Sequence, residues 1–338
     1  MKKVALVILN YNGVKFLKKF LPSVIKFSSN DAEIWVADNC STDGSVELIE
    51  EEFSQVKLIQ NESNGGFATG YNLALKKIDA EYYILLNSDI EVCENWINPV
   101  INLMESDSTI GACQPKIISY HNKSEFEYAG ASGGYIDKLG YPFCRGRLFQ
   151  VLEKDTGQYD DSVEVFWATG ACMFVRADLF HQMNGFDDDF FAHMEEIDFC
   201  WRIKSLGNKV MVCPTSKVYH VGGGTLPVGS AWKTYLNFRN NFILLYKNLP
   251  SKKLNRVLLT RLFLDGLAGL KFLMQGGFSD FIAVIRAHIY FYRNYQKIRQ
   301  KRKNTIRNKV TKVYNGNIVT DHYLLRKKKF DDLKKGFS

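Results

Sequence analysis

The chain has 338 residues, 46% hydrophobic and 24% charged, enough to bury a sizeable core as one large domain with an appendage. Its net charge of +8 is uneven: from Ser251 onward there are 21 Lys/Arg and 5 Asp/Glu, before it 23 and 31. A basic C-terminal region suits anionic lipid, nucleic acid or plain solvent, so charge alone names no partner. The seven widely spaced cysteines are an odd number without a C-x-x-C pair, which argues against a zinc or redox site and for a reducing compartment.

The first apolar run, Val4 to Leu9, is too short for a signal-peptide core and reads as a strand. No apolar stretch reaches the roughly 18 residues that span a bilayer, because Asp265, Lys271, Asp280 and Arg286 interrupt the C-terminal candidates. Over the first 118 residues, short β-branched runs alternate with helix-like segments, the pattern of βαβ units around a mostly parallel sheet. Strands are predicted at Val4–Leu9, Glu33–Ala37, Val56–Ile59, Tyr82–Leu86 and Ile110–Lys116. The helices between them are predicted at Val14–Lys26, Gly44–Glu52, Phe67–Lys77 and Asn95–Ser106, the second introduced by the N-cap formers Ser41, Thr42 and Asp43.

Residues 119–165 hold Gly130, Gly133, Gly134, Gly140 and Gly146 among aromatics without clear periodicity, which predicts loops and a small hairpin. Beyond them a helix near Asp178–Met183, a second over Glu195–Ser205, and strands at Lys209–Cys213 and Val218–His220 are expected. Aromatic and aliphatic residues then recur at helical spacing over Trp232–Lys247 and Leu254–Tyr295.

Polar residues collect where strands end, the edge at which open α/β sheets bind ligands. Asp89 of Asn87-Ser88-Asp89 follows a buried strand, and a hard cation that shares its shell with substrate phosphates needs only one or two such acids. An Asp there equally caps a turn. Asp38 and Asn39 offer hydrogen bonds to a nucleobase or ribose, or again cap a turn. Asn64-Gly65-Gly66 precedes a helix and allows close backbone approach to a ligand, yet it lacks the G-x-G-x-x-G spacing of a nicotinamide dehydrogenase. Glu195, Glu196 and Asp198 crowd one helical turn beside an apolar run. That favours the dipole, and it also raises carboxyl pKa values toward those of a general base. His220, entering the glycines 222–224, is a candidate metal or phosphate ligand, although a lone His is more often structural.

Taken in order, Val7-Ile8-Leu9-Asn10-Tyr11-Asn12, Asp38 to Ser45, Asn64-Gly65-Gly66-Phe67, Leu86-Asn87-Ser88-Asp89, Thr169-Gly170-Ala171 and Glu195 to Arg202 resemble the family 2 glycosyltransferases, in particular their rhamnosyltransferase-type branch. The resemblance covers about residues 1–250 and implies a GT-A fold, Rossmann-like, with a nucleotide-diphosphate sugar donor, a divalent Mg²⁺ or Mn²⁺ and inversion at the anomeric carbon. It assigns Asn10, Tyr11, Asp38, Asn39, Asn64, Gly65, Gly66, Asn72 and Asn87 to the donor nucleotide, and Asp89 with His220 to the metal. Glu196 falls on the base, with Glu195 and Asp198 beside it, and Trp167, Thr169, Gly170 and Arg202 on the acceptor side. Asn87 stands where the family has the first acid of D-x-D, and Glu196 where it has Asp.

The implied organisation is a catalytic domain over 1–250, with a donor half at 1–118 and an acceptor half at 119–250, then a basic, mainly helical extension over 251–338. Either that extension lies on an anionic inner membrane surface near lipid-linked glycan acceptors or it packs on the catalytic domain. A cytoplasmic enzyme, peripheral on the membrane in the first case, is expected. Nucleic acid is not an expected partner. A sugar-nucleotidyltransferase and a non-catalytic sugar-binding protein are the competing readings.

Overall fold

A computed structural model of the chain describes residues 3–222 and 230–338. The donor half runs β1 (Val4–Asn10), α1 (Val14–Ser28), β2 (Glu33–Asp38), α2 (Ser45–Glu52), β3 (Lys57–Gln60), α3 (Gly66–Leu75), β4 (Tyr82–Asn87), β5 (Ile90–Val92), α4 (Asn98–Ser106) and β6 (Ile110–Ser119). The acceptor half follows with β7 (Gly134–Asp137), β8 (Pro142–Cys144), β9 (Arg147–Leu148), β10 (Val151–Leu152), β11 (Val163–Val165), β12 (Cys172–Arg176), α5 (Ala177–Gln182), α6 (Glu195–Ser205) and β13 (Lys209–His220). Last come α7 (Ala231–Asn248), α8 (Ser251–Met274), α9 (Phe278–Arg293), α10 (Tyr295–Asn304) and β14 (Val313–Tyr314).

The central sheet has the order β11-β13-β6-β12-β4-β1-β2-β3, with β5 paired to β13 outside that path. β3, β2, β1 and β4 are parallel. β12 enters antiparallel between β4 and β6, and β13 is parallel to β6, so the sheet is mixed. Register sets Asn10 opposite Asp38, Asp38 opposite Gln60 and Leu9 opposite Asn87, which brings these strand ends to one level at the carboxyl edge. One face buries Leu17, Leu21, Ile49, Val100 and Met104 of α1, α2 and α4. The other buries Ala68, Tyr71, Phe180, Phe199 and Ile203 of α3, α5 and α6.

Three departures from expectation have local causes. The two strands expected over 209–220 are one, with a register shift between Cys213 and Lys217. Pro214 lies in that interval and has no N–H for the ladder, so a bulge reads in sequence as a break. The cap residue of α2 is Gly44, at φ 84. Asp43 accepts instead from Ser45 N at 3.1 Å and from Val14 N at 2.9 Å, holding the starts of α2 and α1 together. The small hairpin expected here is present as β7 and β8, but it extends through β9 and β10, all four strands of two to four residues, into a second sheet of order β10-β9-β8-β7-β14. Strands this short leave no period to read.

The chain beyond residue 250 returns to that second sheet. Val313 pairs with Ile136, and Ile318 N donates to buried Asp137 Oδ2 at 3.0 Å. The rings of Phe330 and Phe337 lie 5.1 and 4.8 Å from that of Tyr135. These contacts bury several aromatic side chains, each a large contribution to stability. Deleting residues 305–338 should therefore lower the melting temperature by about 10 °C or more in a calorimetric scan. A shift within about 2 °C would show that the second sheet stands without this segment.

Candidate active site

β4 ends at Asn87, and β5 pairs antiparallel with the end of β13, with Ile90 opposite His220. That register sets Asp89 beside His220: the imidazole Nε2 is 3.1 Å from Asp89 Oδ1 and 3.5 Å from Asn87 Nδ2. On the other side, Glu127 Oε2 lies 3.1 Å from Nδ1, off the line of a good hydrogen bond. All three are buried, with 4–6% of each exposed. Burial alone would lower the imidazole pKa, but the hydrogen bond and charge of Asp89 and the close carboxylate of Glu127 raise it to about 10. Burial works to raise Asp89, and the His220 hydrogen bond and charge hold it below its usual value instead. A side chain on Gly222, whose φ is 74, would press on Glu127 Oε1 at 2.8 Å, so glycine there permits the close approach. Gly223, Gly224 and Thr225 lie outside the described residues.

Among the described residues no three acids, His or Cys are arranged so that all could hold one metal ion, since Asp89 and Glu127 meet opposite nitrogens of His220. The pair Asp89 and His220 would fit a divalent cation once the ion displaces the Nε2 proton that Asp89 now holds, because a ligating imidazole is neutral. Neighbouring positions around an octahedral ion with ligands at about 2.1 Å are about 3 Å apart, close to the 3.1 Å observed. Such ions draw their remaining ligands from water and substrate phosphates.

Across the edge, α6 begins with Glu195 and Glu196. The backbone enters that helix through Phe191, His193 and Met194 at φ 62, 71 and 73, a left-handed run that non-glycine residues rarely adopt. Asn240 of α7 holds it: Nδ2 donates to the carbonyls of Phe190, Ala192 and His193 at 2.9, 2.9 and 2.7 Å. Arg239 donates to the carbonyls of Asp189 and Phe190, both at 2.9 Å. Neither Glu195 Oε2 nor Glu196 Oε2, both buried, has a hydrogen-bond partner. Burial, and then the charge of Glu196, push Glu195 far above the carboxylate range. Burial lifts Glu196 to about 7, against helix-start N–H groups that favour its ionised form.

Asp198, expected beside the base, is fully buried in a different network. It accepts from Arg202 Nε at 2.8 Å, Asn248 Nδ2 at 2.8 Å and Lys247 Nζ at 3.1 Å. Arg202 also donates to the carbonyls of Met183 and Gly185, both at 2.8 Å, so its guanidinium is engaged within the fold. Trp167 is 4% exposed; its indole N–H donates to the Tyr135 carbonyl at 3.0 Å and its ring covers Gly134. Thr169 is buried, and Gly170 packs against Phe67.

On the donor side, Asp38 is buried and accepts from Asn10 Nδ2 at 2.9 Å and Ser41 N at 2.8 Å. Asn10 Oδ1 is buried and has no partner, and Tyr11 is exposed. Asn39 accepts from Asn61 Nδ2 at 2.8 Å and donates to the Gly66 carbonyl at 2.9 Å. The donors expected at Gly65-Gly66 turn inward: Gly66 N goes to Asn64 Oδ1 at 2.9 Å, and Phe67 N to the Phe191 carbonyl at 2.6 Å. Asn72 binds Phe186 and Asp188 from α3. The loop expected to meet nucleotide thus ties α3 to the turn before the base.

Sequence reading missed Glu127, Arg147, Arg239 and Asn240. The last pair left a signal, since Asn237, Arg239, Asn240 and Asn241 interrupt an otherwise apolar helix. Glu127 and Arg147 sit in the short-stranded region, where no pattern marks them.

Residues 5–183 match the family model described as Glycosyl transferase family 2. The N-acetylglucosaminyl-diphospho-decaprenol L-rhamnosyltransferase of Mycobacterium tuberculosis is 24% identical over 229 residues, 63% of this chain and 74% of that protein. The low-salt glycan biosynthesis hexosyltransferase Agl10 of Haloferax volcanii is 23% identical over 268 residues, 77% and 80% of the two chains. The crystal structure of GalNAc-T7 with UDP, GalNAc and Mn²⁺ is similar at a TM-score of 0.58 and 18% identity, over 75% of this chain. This chain spans 49% of that one, and the likeness is one of fold.

A carboxyl whose pKa rises on folding stabilises the fold below its unfolded pKa and loses that contribution as pH climbs through the folded value. Replacing Glu195 by Gln should therefore raise the melting temperature relative to wild type at pH 8 more than at pH 5. A gap that stays constant with pH would show that Glu195 does not carry its proton in the fold.

Proposed function

Because the chain belongs to glycosyl transferase family 2 and has the GT-A fold, we propose that it moves a hexosyl or deoxyhexosyl unit from a nucleotide-diphosphate sugar to a hydroxyl of a glycan or lipid-linked acceptor, with inversion, in cell-surface polysaccharide synthesis. The observation that carries this reading is the half-buried Glu196, whose Oε2 is enclosed without a partner and whose carboxyl is lifted to about 7, together with the ionised Asp89–His220 pair. The names of the rhamnosyl- and hexosyltransferase relatives support the class of sugar and the envelope glycan.

In this reading Glu196, ionised, takes the proton of the acceptor hydroxyl as that oxygen bonds to the anomeric carbon. The bond from that carbon to the diphosphate breaks on the opposite face, and the diphosphate leaves with the electron pair, which inverts the centre. A divalent ion bound here supplies neutralisation of the charge that grows on the diphosphate. Asp89 and His220 would hold it, with Glu127 fixing the imidazole. Asn10, Asp38 and Asn39 shape the nucleotide pocket, the free Asn10 Oδ1 accepting from the ligand. Trp167, Thr169 and Gly170 form the packed floor under the acceptor, and Asp198 with Arg202 anchors the base helix.

The acceptor is brought to the site at a membrane surface. No described helix is long and apolar enough to cross a membrane. Along α8, however, Leu259, Phe263, Leu267, Leu270 and Met274 are 46–81% exposed at helical spacing, and α9 adds Phe278, Ile285, Ile289 and Tyr292. Exposed Lys252, Lys253, Arg256, Lys271, Arg286 and Arg293 accompany this face, a combination that suits the anionic inner surface of a bilayer.

Glu196→Gln should lower kcat by at least about 100-fold while Mn²⁺-dependent binding of UDP or dTDP, read by calorimetry, stays within twofold. Wild-type kcat should fall as pH drops below about 7, the value to which burial lifts Glu196. Undiminished turnover in the Gln variant would move the base to another residue. The full chain should float with phosphatidylglycerol vesicles and not with phosphatidylcholine vesicles, and a Leu259, Phe263, Met274 triple Ser variant should not float. Equal flotation of variant and wild type would remove α8 from the contact.

A further inference from the structure

Arg147 is the unusual charge of the acceptor half. It is 7% exposed, yet among the described residues no carboxylate lies within salt-bridge distance of it. Its hydrogen bonds go to the Phe149 carbonyl at 3.0 Å and Cys144 Sγ at 3.4 Å. Its Nε–H is buried without a partner. A buried guanidinium lacking a counter-ion and leaving a donor unused carries a desolvation cost that an oxyanion would offset with charge-assisted hydrogen bonds. The nearest acid along this wall, Glu127, is already engaged by His220.

The surroundings say what accompanies that oxyanion. The guanidinium lies 4.2 Å over the ring of Tyr128, which is 44% exposed. From Phe149, whose carbonyl Arg147 holds, the ring of Tyr323 is 5.0 Å away and 53% exposed. Lys271 of α8 sits 5.2 Å over Tyr323. The half-exposed Phe149 and the exposed Tyr323 thus lie between Arg147 and Lys271 of α8. In the other direction, Cys144 lies close enough to both Glu127 and Glu196 to feel their charges, which puts Arg147 near the proposed base.

We propose that Arg147 and Tyr128 hold the phosphate of an acceptor whose apolar tail passes over Phe149 and Tyr323 onto the exposed face of α8. The occupant is an alkyl phosphate or diphosphate, with the oxyanion at the guanidinium and the attached sugar extending toward Glu196. This rests on the transferase reading for the identity of the sugar acceptor, but not for the binding of the phosphate and tail. The same phosphate chemistry exists in the donor, whose diphosphate belongs at Asp89 and His220 on the far side of Glu127.

The test is calorimetric binding to the full chain, with chelator and no metal for decyl diphosphate below its micelle concentration and for decyl β-glucoside, and with Mn²⁺ for UDP and dTDP. Arg147→Gln should weaken decyl diphosphate by at least about tenfold and leave the glucoside and both nucleotides within twofold. Arg147→Lys, which keeps the charge but not the planar fork, should fall between, and it serves if the Gln variant does not fold. Tyr323→Ala, at an exposed ring, should weaken decyl diphosphate severalfold and leave inorganic pyrophosphate unchanged. Undiminished decyl diphosphate binding in both Arg147 variants overturns the proposal. An equal loss for the nucleotides overturns it too, by assigning Arg147 to the donor. Failure of the wild-type chain to release nucleoside diphosphate from any donor sugar would instead remove the transferase reading and leave these affinities standing.

Discussion

The left-handed turn from Phe190 to Met194 is the constraint on which the rest of the site depends. Three non-glycine residues there hold positive φ, at a cost of order 1–3 kcal/mol each, so the turn persists only where its neighbours leave it no alternative. Asn240 and Arg239 supply that constraint with four hydrogen bonds to its carbonyls and a fifth to that of Asp189 just before it. The Phe191 carbonyl in turn takes the Phe67 N–H at the start of α3. One turn thereby joins the donor-side helix, the helix bearing Glu195 and Glu196, and α7 of the C-terminal bundle. A shift of α7 would move the base and the Asn64–Gly66 loop together.

Electrostatics divides the buried acids of the site into two kinds. Asp89 and Glu127 flank one imidazole, which keeps its proton because two carboxylates outweigh its desolvation. Glu195 and Glu196 have no cation beside them, and burial raises both. Environments that push neighbouring acids apart in this way give one edge both a fixed negative charge and a group that exchanges a proton near neutrality. The difference stems from β5: by turning back against β13 it brings Asp89 to His220, whereas among the described residues no cation pairs with Glu195 or Glu196, Lys247 of α7 going to Asp198 instead.

The basic C-terminal region is not a uniformly solvated tail. Lys297 and Lys301 each sit 2.6 Å from Asp189, and Lys301 also pairs with Asp187. Arg302 donates to the Leu249 carbonyl at 2.8 Å, and Arg261 to that of Leu139 at 2.9 Å. The acidic excess before residue 251 and the basic excess after it therefore meet across a packed boundary. Lys252, Lys253, Arg256 and Lys271 of α8 and Arg286 and Arg293 of α9 stay exposed, on the same helices as the apolar stripes.

Much of this was legible in the residues. The alternation of apolar runs and helical segments located the helices and the longer strands of the donor half to within a few residues, because strands of four or more residues carry their own period, but it did not reveal the three-residue β5. The order of the motifs identified the family. The sequence could not assign Trp167 to the core or Arg202 to the Asp198 network, since an indole or guanidinium reads alike whether it faces a ligand or a backbone carbonyl. It also could not reveal Glu127 beside His220, Asn240 on the turn, or Arg147 without a counter-ion. Those pairings join residues 47 to 93 positions apart, and only the packing of separate elements brings such residues within hydrogen-bonding reach or leaves one alone in the interior.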